Sequence, residues 1–234
     1  MKKGKILLLP TYIGNTKEKD LLPTYLLNAI NRTNIFVVEN IRNTRRFIKS
    51  LFPEKDIESI LFLAYGKHNK IDLDHNFLQY LLKGDDIGII SDSGTPCIAD
   101  PGSNIVRFAH KYNIQVIPFV GPSSILLALM SSGLNGQNFA FLGYLPIDKA
   151  ERKMSIKKYE KIMKQTGQTQ IFIETPYRNN KLLKSIINNC NNNTYLSIAS
   201  NITSSNEFIK TQKIAEWKNQ KIDLHKIPTI FLIG

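Results

Sequence analysis

The stretch SDSGTPCIADPG, residues 91–102, combines side chains that could bind a ligand with residues that constrain the backbone. Its two glycines permit backbone angles closed to other residues and let a ligand approach the main chain. Its two prolines fix their own φ angles and remove N–H donors, so the remaining donors can point one way. Asp92 could then accept hydrogen bonds from ribose hydroxyls or an amino group. The alternative is that Asp92, Ser93 and Asp100 only cap turns and the following helix.

Two further loops share this mixture of glycine, proline and small polar residues. The sequence GPSS at 121–124 leaves free N–H groups at a helix start, where a carboxylate or phosphate could bind. Ordinary helix caps have the same pattern. The sequence LPTYIGN at 9–15 is the third loop. Because each loop follows a predicted strand, the three could converge on one crevice.

A carboxylate and a row of cations follow the apolar run IFVV at 35–38. Glu39 comes directly after this run, where it could act as a base, bind a substrate hydroxyl or pair with a nearby arginine. Residues 41–52 have the periodicity of an amphipathic helix. One face of that helix carries four cations, Arg42, Arg45, Arg46 and Lys49. A phosphate backbone is a candidate partner for this face, and a plain solvated surface is the alternative.

The later half of the chain offers weaker candidates for chemistry. The sequence FIETPYR at 172–178 ends a predicted strand and carries Glu174, Tyr177 and Arg178, which could face a crevice. A looser stripe of cations follows a helical spacing at Lys153, Lys157, Lys161 and Lys164. Trp217 is interpreted as a packing residue.

The elements that position these residues follow from short apolar runs alternating with amphipathic segments. Strands are predicted at 5–9, 35–38, 60–63, 87–90 and 115–118, and helices near 20–30, 42–52, 74–83 and 103–111. This alternation predicts an α/β fold with a mostly parallel sheet flanked by helices. Ligands bind beyond the carboxyl ends of the strands in such sheets, which is where the 91–102 loop falls.

The second half of the chain continues the α/β pattern less regularly. Helices are predicted at 123–132, 149–165 and 178–190, and strands at 139–142, 169–173, 195–199, 206–210 and 229–233. The length of 234 residues suits two small domains. We therefore predict an N-terminal α/β domain, 1–120, and a C-terminal α/β domain with a mixed sheet and helices, 121–234.

Composition limits the classes of partner. The net charge of +12 favours a polyanion such as nucleic acid, although Asn- and Lys-rich runs such as NNCNNN can also reflect AT-biased codons. Cys97 and Cys190 form no spacing pattern, which favours a cytoplasmic protein with reduced thiols. The histidines lie far apart, so no metal site is predicted. No stretch approaches the ~20 apolar residues of a membrane span.

Five motifs, in order and at suitable spacing, resemble a known family: PTYIGN, SDSGTPCIADPG, VGPSS, GYLP and FIETPYR. They are similar to the tetrapyrrole-methylase superfamily of S-adenosylmethionine (SAM) methyltransferases, in particular the branch that includes the 16S ribosomal RNA ribose 2′-O-methyltransferase. The resemblance implies two α/β domains with SAM in a cleft between them, and a homodimer. It places the cofactor against Pro10, Ser91, Asp92, Ser93, Gly94, Thr95, Pro96, Pro122 and Ser123, and near Leu142 and Pro228.

The substrate side departs from the family pattern. The RNA enzymes typically have Glu-Asp-Thr-Arg where this chain has Glu39-Asn40-Ile41-Arg42, and Arg-Glu-Leu-Thr-Lys where it has Ser200-Asn201-Ile202-Thr203-Ser204. Tyr177 stands where those enzymes usually have histidine. A sister group of Bacteroidetes type with another substrate fits this pattern, and so does weaker activity.

The leading hypothesis is methyl transfer from SAM to ribosomal RNA, with Glu39 and Arg42 as the residues that act on the acceptor. The first alternative is methyl transfer to a small molecule or a protein. The second is a non-catalytic protein that binds SAM or RNA.

Overall fold

The structure is a computed structural model of the 234-residue chain and describes residues 3–14, 21–66 and 75–234. These residues form two compact units. The first contains the described residues up to Ser123 except Gly14, and the second contains Gly14 and Ser124–Gly234. Each unit is built around one five-stranded sheet. The division into two domains at Gly121 stays a prediction, which limited proteolysis of the intact chain would test.

The sheet of the first unit is entirely parallel and has the strand order β3-β2-β4-β1-β5. Its strands are β1 (Ile6–Leu9), β2 (Ile35–Val38), β3 (Leu61–Ala64), β4 (Ile87–Ile90) and β5 (Val116–Pro118). Its helices are α1 (Thr24–Arg32), α2 (Ile41–Leu51), α3 (His75–Lys83) and α4 (Ser103–Lys111). The predicted parallel sheet with flanking helices is confirmed.

Apolar residues on both faces of this sheet explain why its strands read as continuous hydrophobic runs. Successive side chains of a strand point to opposite faces. Phe36 and Val38 therefore join the core that includes Leu26 of α1 and Ile48 of α2. Their strand neighbour Val37 joins a second core, which contains residues of α3 and α4. A parallel sheet covered on both sides needs apolar residues at nearly every position.

The sheet of the second unit is mixed and has the strand order β6-β7-β10-β8-β9, with β6 and β7 parallel and the other pairs antiparallel. Its strands are β6 (Phe139–Tyr144), β7 (Thr169–Ile173), β8 (Tyr195–Ser200), β9 (Phe208–Lys213) and β10 (Thr229–Ile233). Its helices are α5 (Ser124–Ser132), α6 (Lys149–Thr166), α7 (Asn179–Asn189) and α8 (Ile214–Trp217), with a 3-10 helix at Pro176–Arg178. The predicted α/β fold with a mixed C-terminal sheet is confirmed.

Helices cover the second sheet on both faces as well. One core joins Ile156 of α6 and Ile186 of α7 to Phe172 and Phe231 of the sheet. The other contains residues of α5 and the alternate strand positions. Trp217 is 1% exposed and donates from Nε1 to the Leu196 carbonyl at 2.9 Å, so it is the packing residue that was expected. Within residues 3–14, 21–66 and 75–234, no helix has the length and hydropathy to cross a bilayer.

Candidate functional site

The strand register of the first sheet brings three loops to one edge. Leu9 and Val38 both lie opposite Ile90, on the two sides of β4. The residues that follow these strands therefore begin side by side. Because β5 lies beside β1, the loop after β5 starts at the same edge. The chain segments expected to bind a ligand thus lie together at the carboxyl ends of parallel strands, where α/β sheets bind ligands.

Backbone hydrogen bonds join the first two loops. The Thr11 N–H donates to the Gly94 carbonyl at 2.9 Å, and the Gly94 N–H donates to the Tyr12 carbonyl at 3.1 Å. The Thr11 hydroxyl also donates to the Ser91 carbonyl at 3.2 Å. The loop that contains Pro10 and the loop that contains Ser91–Pro96 therefore form one continuous structure. Pro10 and Pro96 are both buried in it.

The third loop packs against the other two through glycines. The Thr95 hydroxyl donates to the Pro122 carbonyl at 2.9 Å. A Cβ atom added to Gly94, whose φ is +72°, would lie 3.3 Å from that same carbonyl oxygen. A Cβ atom added to Gly121 would lie 2.8 Å from Cγ of Pro10. Glycine is favoured at position 94 by its left-handed backbone angle, and at position 121 because Pro10 lies too close for any Cβ atom.

A buried hydroxyl and a half-buried carboxylate hold the 91–102 loop internally. Ser91 is 4% exposed, and its Oγ lies 2.5 Å from Oδ2 of Asp100. The same Oγ accepts a hydrogen bond from the Ser93 N–H at 3.0 Å. Burial raises the pKa of Asp100, the Ser91 hydrogen bond opposes that rise, and the nearby charge of Asp92 adds to it. Asp100 is therefore more than the helix cap considered above, because its contact with Ser91 joins the start of the loop to its later part.

The same loop contains strained backbone. Cys97 and Ala99 have φ angles of 67° and 61°, in the left-handed region that L-residues rarely adopt. Gly102 has a φ of 131°, and a Cβ atom there would lie 2.6 Å from the Cys97 sulfur. Burial, with the charge of Asp100, raises the pKa of the Cys97 thiol, so this cysteine is not an activated nucleophile. Strain of this kind persists where the surrounding structure enforces it, and it clusters at functional sites.

Asp92 connects the loop to helix α2. Its side chain is exposed, and Oδ2 accepts a hydrogen bond from Nδ2 of Asn43 at 3.1 Å. The Asn43 N–H is bonded in turn to Oδ1 of Asn40, which caps α2. Asn40 thus satisfies a free N–H group at the start of α2. No local sequence pattern predicts the contact between Asn43 and Asp92, because the two residues lie 49 positions apart.

Glu39 and Arg42 occupy the junction between β2 and α2. The pairing of Val38 with Ile90 places Glu39 beside Ser91 along the edge of the sheet, and both Glu39 and Arg42 are exposed. The structure therefore brings the proposed acceptor-side residues next to the loop that follows β4.

The cationic face of α2 is only partly open. Arg45 forms an ion pair with Glu58 and lies 6.0 Å from the ring centre of Phe62. Lys49 donates to the Lys55 carbonyl at 3.3 Å. Arg42 and Arg46 are exposed and form no ion pair with any residue that the structure describes.

The remaining predicted residues lie in the second unit, at one edge of its sheet. Leu142 is half-buried in β6, one residue before Gly143, whose φ is 65°. Pro228 directly precedes β10, and its carbonyl accepts from the Asn201 N–H at 3.0 Å. The β6 end and the β10 start adjoin the end of β7, since Tyr144 and Ile230 both pair with Ile173.

An ion pair lies at this edge of the second sheet. Glu174 directly follows β7, and its Oε1 accepts from Nη2 of Arg178 at 2.6 Å and from the Thr175 N–H at 2.6 Å. The Glu174 side chain is 3% exposed and therefore closed to a substrate, whereas the Arg178 side chain is 29% exposed. Tyr177 is exposed, with Lys226 5.8 Å from its ring centre. No cluster of metal-ligating side chains occurs in the ranges that the structure covers.

Comparisons with known proteins agree with the fold and with the motifs. The family model described as Tetrapyrrole (Corrin/Porphyrin) Methylases matches residues 18–218. The chain is 31% identical to Ribosomal RNA small subunit methyltransferase I of Buchnera aphidicola subsp. Schizaphis graminum, covering 99% of this chain and 78% of that protein. It is 32% identical to the protein of the same name from Halalkalibacterium halodurans, covering 75% of this chain and 57% of that one.

Solved structures share the fold at low sequence identity. The methyltransferase CobJ is 14% identical, with a TM-score of 0.63 over 99% of this chain and 94% of that one. Uroporphyrin III C-methyl transferase from Thermus thermophilus is also 14% identical, with a TM-score of 0.57 over 99% and 97%. The resemblance inferred from the five motifs is confirmed. The chain belongs to the tetrapyrrole (corrin/porphyrin) methylase family, and it is a methyltransferase.

Proposed function

We propose that this methyltransferase transfers the methyl group of SAM to a ribose 2′-oxygen of small-subunit ribosomal RNA. The observation that carries the proposal is the closure of three strand-end loops around Gly94 and Gly121, in a chain whose relatives are named for ribosomal RNA methylation. The net charge of +12 supports a polyanionic substrate. Ribosomal RNA as the substrate implies action in the cytoplasm.

The residues of the first unit fit a nucleoside cofactor. The close packing of Gly94 and Gly121 against the neighbouring loops holds the three loops together, and the exposed Asp92 carboxylate can accept hydrogen bonds from ribose hydroxyls. We assign cofactor contacts in this unit to Pro10, Ser91–Pro96, Pro122 and Ser123. In the second unit, Leu142 and Pro228 complete the proposed set. SAM, when bound, supplies an electrophilic methyl group on a sulfonium.

The transfer needs an oxygen nucleophile in line with the methyl group. The 2′-oxygen forms the bond to the methyl carbon as the carbon–sulfur bond breaks, and the hydroxyl proton passes to a base. We assign the orientation of this hydroxyl, or the removal of its proton, to Glu39, which begins beside Ser91 at the sheet edge. Arg42 lies in the first turn of α2, and we propose that it holds an RNA phosphate close to the acceptor.

We also propose that the enzyme is a homodimer. Several large apolar side chains are exposed on the single chain, and a second copy would cover some of them: Val120, Met130, Ile147 and Met154. Sedimentation equilibrium at micromolar concentration should return twice the chain mass of 26.7 kDa. A monomer at that concentration would contradict this part of the proposal.

Labelled SAM and ribosomal RNA from a strain that lacks this protein provide the direct test of activity. Wild-type enzyme should label the small-subunit RNA, and RNA already modified in the parent strain should accept no label. Glu39→Gln should lower kcat while it leaves the SAM Kd, measured by calorimetry, unchanged. The matched control is Glu54→Gln, an exposed carboxylate outside the site. SAM binding without label in any RNA would refute the substrate assignment and favour a small-molecule or protein acceptor.

A further inference from the structure

A second cationic surface lies between α6 and α7 in the second unit. Its residues come later in the sequence than the three loops of the first unit. It is a groove of about 460 Å³. Five cations line it: Lys149, Arg152, Lys153, Lys181 and Lys184. The other lining residues are serine and asparagine, so the lining contains no carboxylate. Five like charges in one concave surface repel each other unless an anion is bound there.

Arg152 gives the groove a fixed, pre-oriented donor. Its Nε donates to Oγ of Ser185 at 3.0 Å, and its Nη1 donates to the carbonyls of Pro146 and Ile147 at 3.2 and 2.7 Å. These bonds hold the guanidinium in place across the two helices. Its Nη2 forms no hydrogen bond with the described residues, and it remains available to a ligand. A guanidinium already held in position binds a phosphate with little loss of rotamer freedom.

The α6 N-terminus does not account for the positive potential of the groove. The Asp148 side chain accepts from the N–H groups of Ala150 and Glu151 at 2.8 and 2.9 Å. These hydrogen bonds lower the pKa of Asp148, so its charge offsets the helix dipole at neutral pH. The groove therefore depends on its side-chain cations to bind an anion.

The shape and chemistry of the groove fit a phosphodiester chain. Lys181, Lys184 and Asn188 lie along one face of α7 and span about 10 Å at 1.5 Å per residue, which exceeds one phosphate group. Lysine, arginine, serine and asparagine are the residues that contact phosphate and sugar oxygens in nucleic-acid complexes. A membrane surface would require an apolar face for insertion, which this groove lacks.

We infer that the α6–α7 groove binds the phosphate backbone of the substrate RNA. The nucleotides bound there are separate from the nucleotide that accepts the methyl group. This inference rests on the proposed RNA methylation, and it assigns to the second unit a contact that fixes the register of the RNA. The groove is distinct from the exposed cations of α2, and from the lysine stripe expected on α6, of which only Lys153 lines it.

The test removes two charges from the groove without a large change in side-chain size. The groove variant is Lys181→Gln/Lys184→Gln, and the matched control is Lys161→Gln/Lys210→Gln, which removes two exposed lysines outside the groove. Each protein is titrated with transcribed, unmodified 16S ribosomal RNA between 0.1 and 1 M salt by filter binding. SAM affinity and thermal unfolding are measured on the same preparations. Phosphatidylserine vesicles serve as an anionic surface without a polynucleotide chain.

The expected result is a loss of salt-dependent affinity in the groove variant alone. Two lost phosphate contacts reduce the steepness of log K against log salt by about 1.4, so the variant's loss of affinity relative to wild type should be about 25-fold larger at 0.1 M salt than at 1 M. The control should stay within about threefold of wild type because distant surface charges are screened. SAM affinity should be equal in all three proteins.

Three outcomes would overturn the inference or separate it from the proposed function. Equal RNA binding by the groove variant and the control would refute the groove assignment, even if methyl transfer to RNA is intact. Groove-dependent binding to the vesicles in place of RNA would refute it in favour of a membrane surface. Groove-dependent RNA binding without methyl transfer would support the groove and refute the proposed function.

Discussion

Replacement of Ser91 by alanine should loosen the loop at 91–102. Ser91 is buried, and its hydroxyl is the partner of the Asp100 carboxylate and of the Ser93 N–H. Alanine leaves both groups without that partner. A hydrogen bond to a charged group contributes about 1.5–3 kcal/mol. We expect a decrease of about 2 kcal/mol in the free energy of unfolding, because water can reach the half-buried Asp100 and replace part of the bond.

The pH dependence of this decrease has a defined sign. Burial raises the pKa of Asp100, and the Ser91 hydrogen bond opposes the rise. For an acid with a raised pKa, stability is fully present below the unfolded-state pKa and is lost as the pH rises through the folded-state pKa. Ser91→Ala removes the opposing contact, so the pKa of Asp100 rises further and the loss becomes larger. The difference between variant and wild type should therefore grow with rising pH and shrink in acid.

The same substitution should weaken SAM binding. If the loop keeps its binding conformation in only one free molecule in ten, the apparent Kd rises about tenfold. Isothermal titration calorimetry with SAM measures the Kd, and urea unfolding from acid to neutral pH measures stability. Ser59→Ala is the matched control, since the Ser59 hydroxyl is exposed, lies outside the three loops and donates to the Asp56 carbonyl at 2.9 Å. Equal Kd values and equal unfolding free energies for the two variants would refute this account of the loop.

Three further substitutions test other contacts. Gly121→Ala should destabilise the protein by about 1–3 kcal/mol and abolish SAM binding, because the new Cβ overlaps Pro10; unchanged thermal unfolding would contradict this. Ala99→Gly should raise the unfolding free energy by up to about 1 kcal/mol by relieving its positive φ, and a decrease in urea unfolding would contradict the strain. Burial opposes ionisation of Glu160, but hydrogen bonds from Thr194 and neighbouring groups lower its pKa, so its stabilisation is lost as the pH falls through that pKa. Glu160→Gln should therefore be destabilising by about 1.5 kcal/mol at pH 7 and near wild type in acid, whereas a pH-independent difference would refute the ionic role. The matched controls, in the same order, are Gly136→Ala, Ala150→Gly and Glu54→Gln.

The strands were predictable where burial is complete. The predicted bounds of β2 and β4, 35–38 and 87–90, equal the observed ones, because both strands are buried along their full length and read as unbroken apolar runs. The strand β9 was predicted too early, at 206–210. Its residues Phe208–Lys213 are mostly exposed or half-buried, so polar side chains interrupt its apolar signal. Helix α8 is a single turn, too short for a helical period to appear in the sequence.

The site could be predicted in its loops but not in its contacts. Clusters of glycine and proline predicted the positions of all three loops, because close approach and fixed backbone angles require those residue types. The partners within the loops depend on strand order, which the sequence does not state. β1 lies beside β4, so Thr11 meets Gly94 across more than 80 residues of chain. Similarly, Arg45 was expected to be part of an open cationic face. It instead forms an ion pair with Glu58, which lies in the loop after α2.

Several energetically costly features of the first unit lie in the loop after β4. The interior consists of apolar side chains in regular strands and helices. The left-handed angles of Cys97 and Ala99 and the unfavourable burial of Asp100 all occur in the loop after β4. Glycine would relieve the two left-handed angles and asparagine would avoid the burial of a charge at position 100, so selection for stability alone does not explain these features. Ala99→Gly should therefore separate the requirement for stability from the requirement for SAM binding. It should raise the free energy of unfolding, but it should also give the loop more conformations and so weaken SAM binding. An Ala99→Gly enzyme with both higher stability and wild-type affinity would show that the strain of this loop has no function.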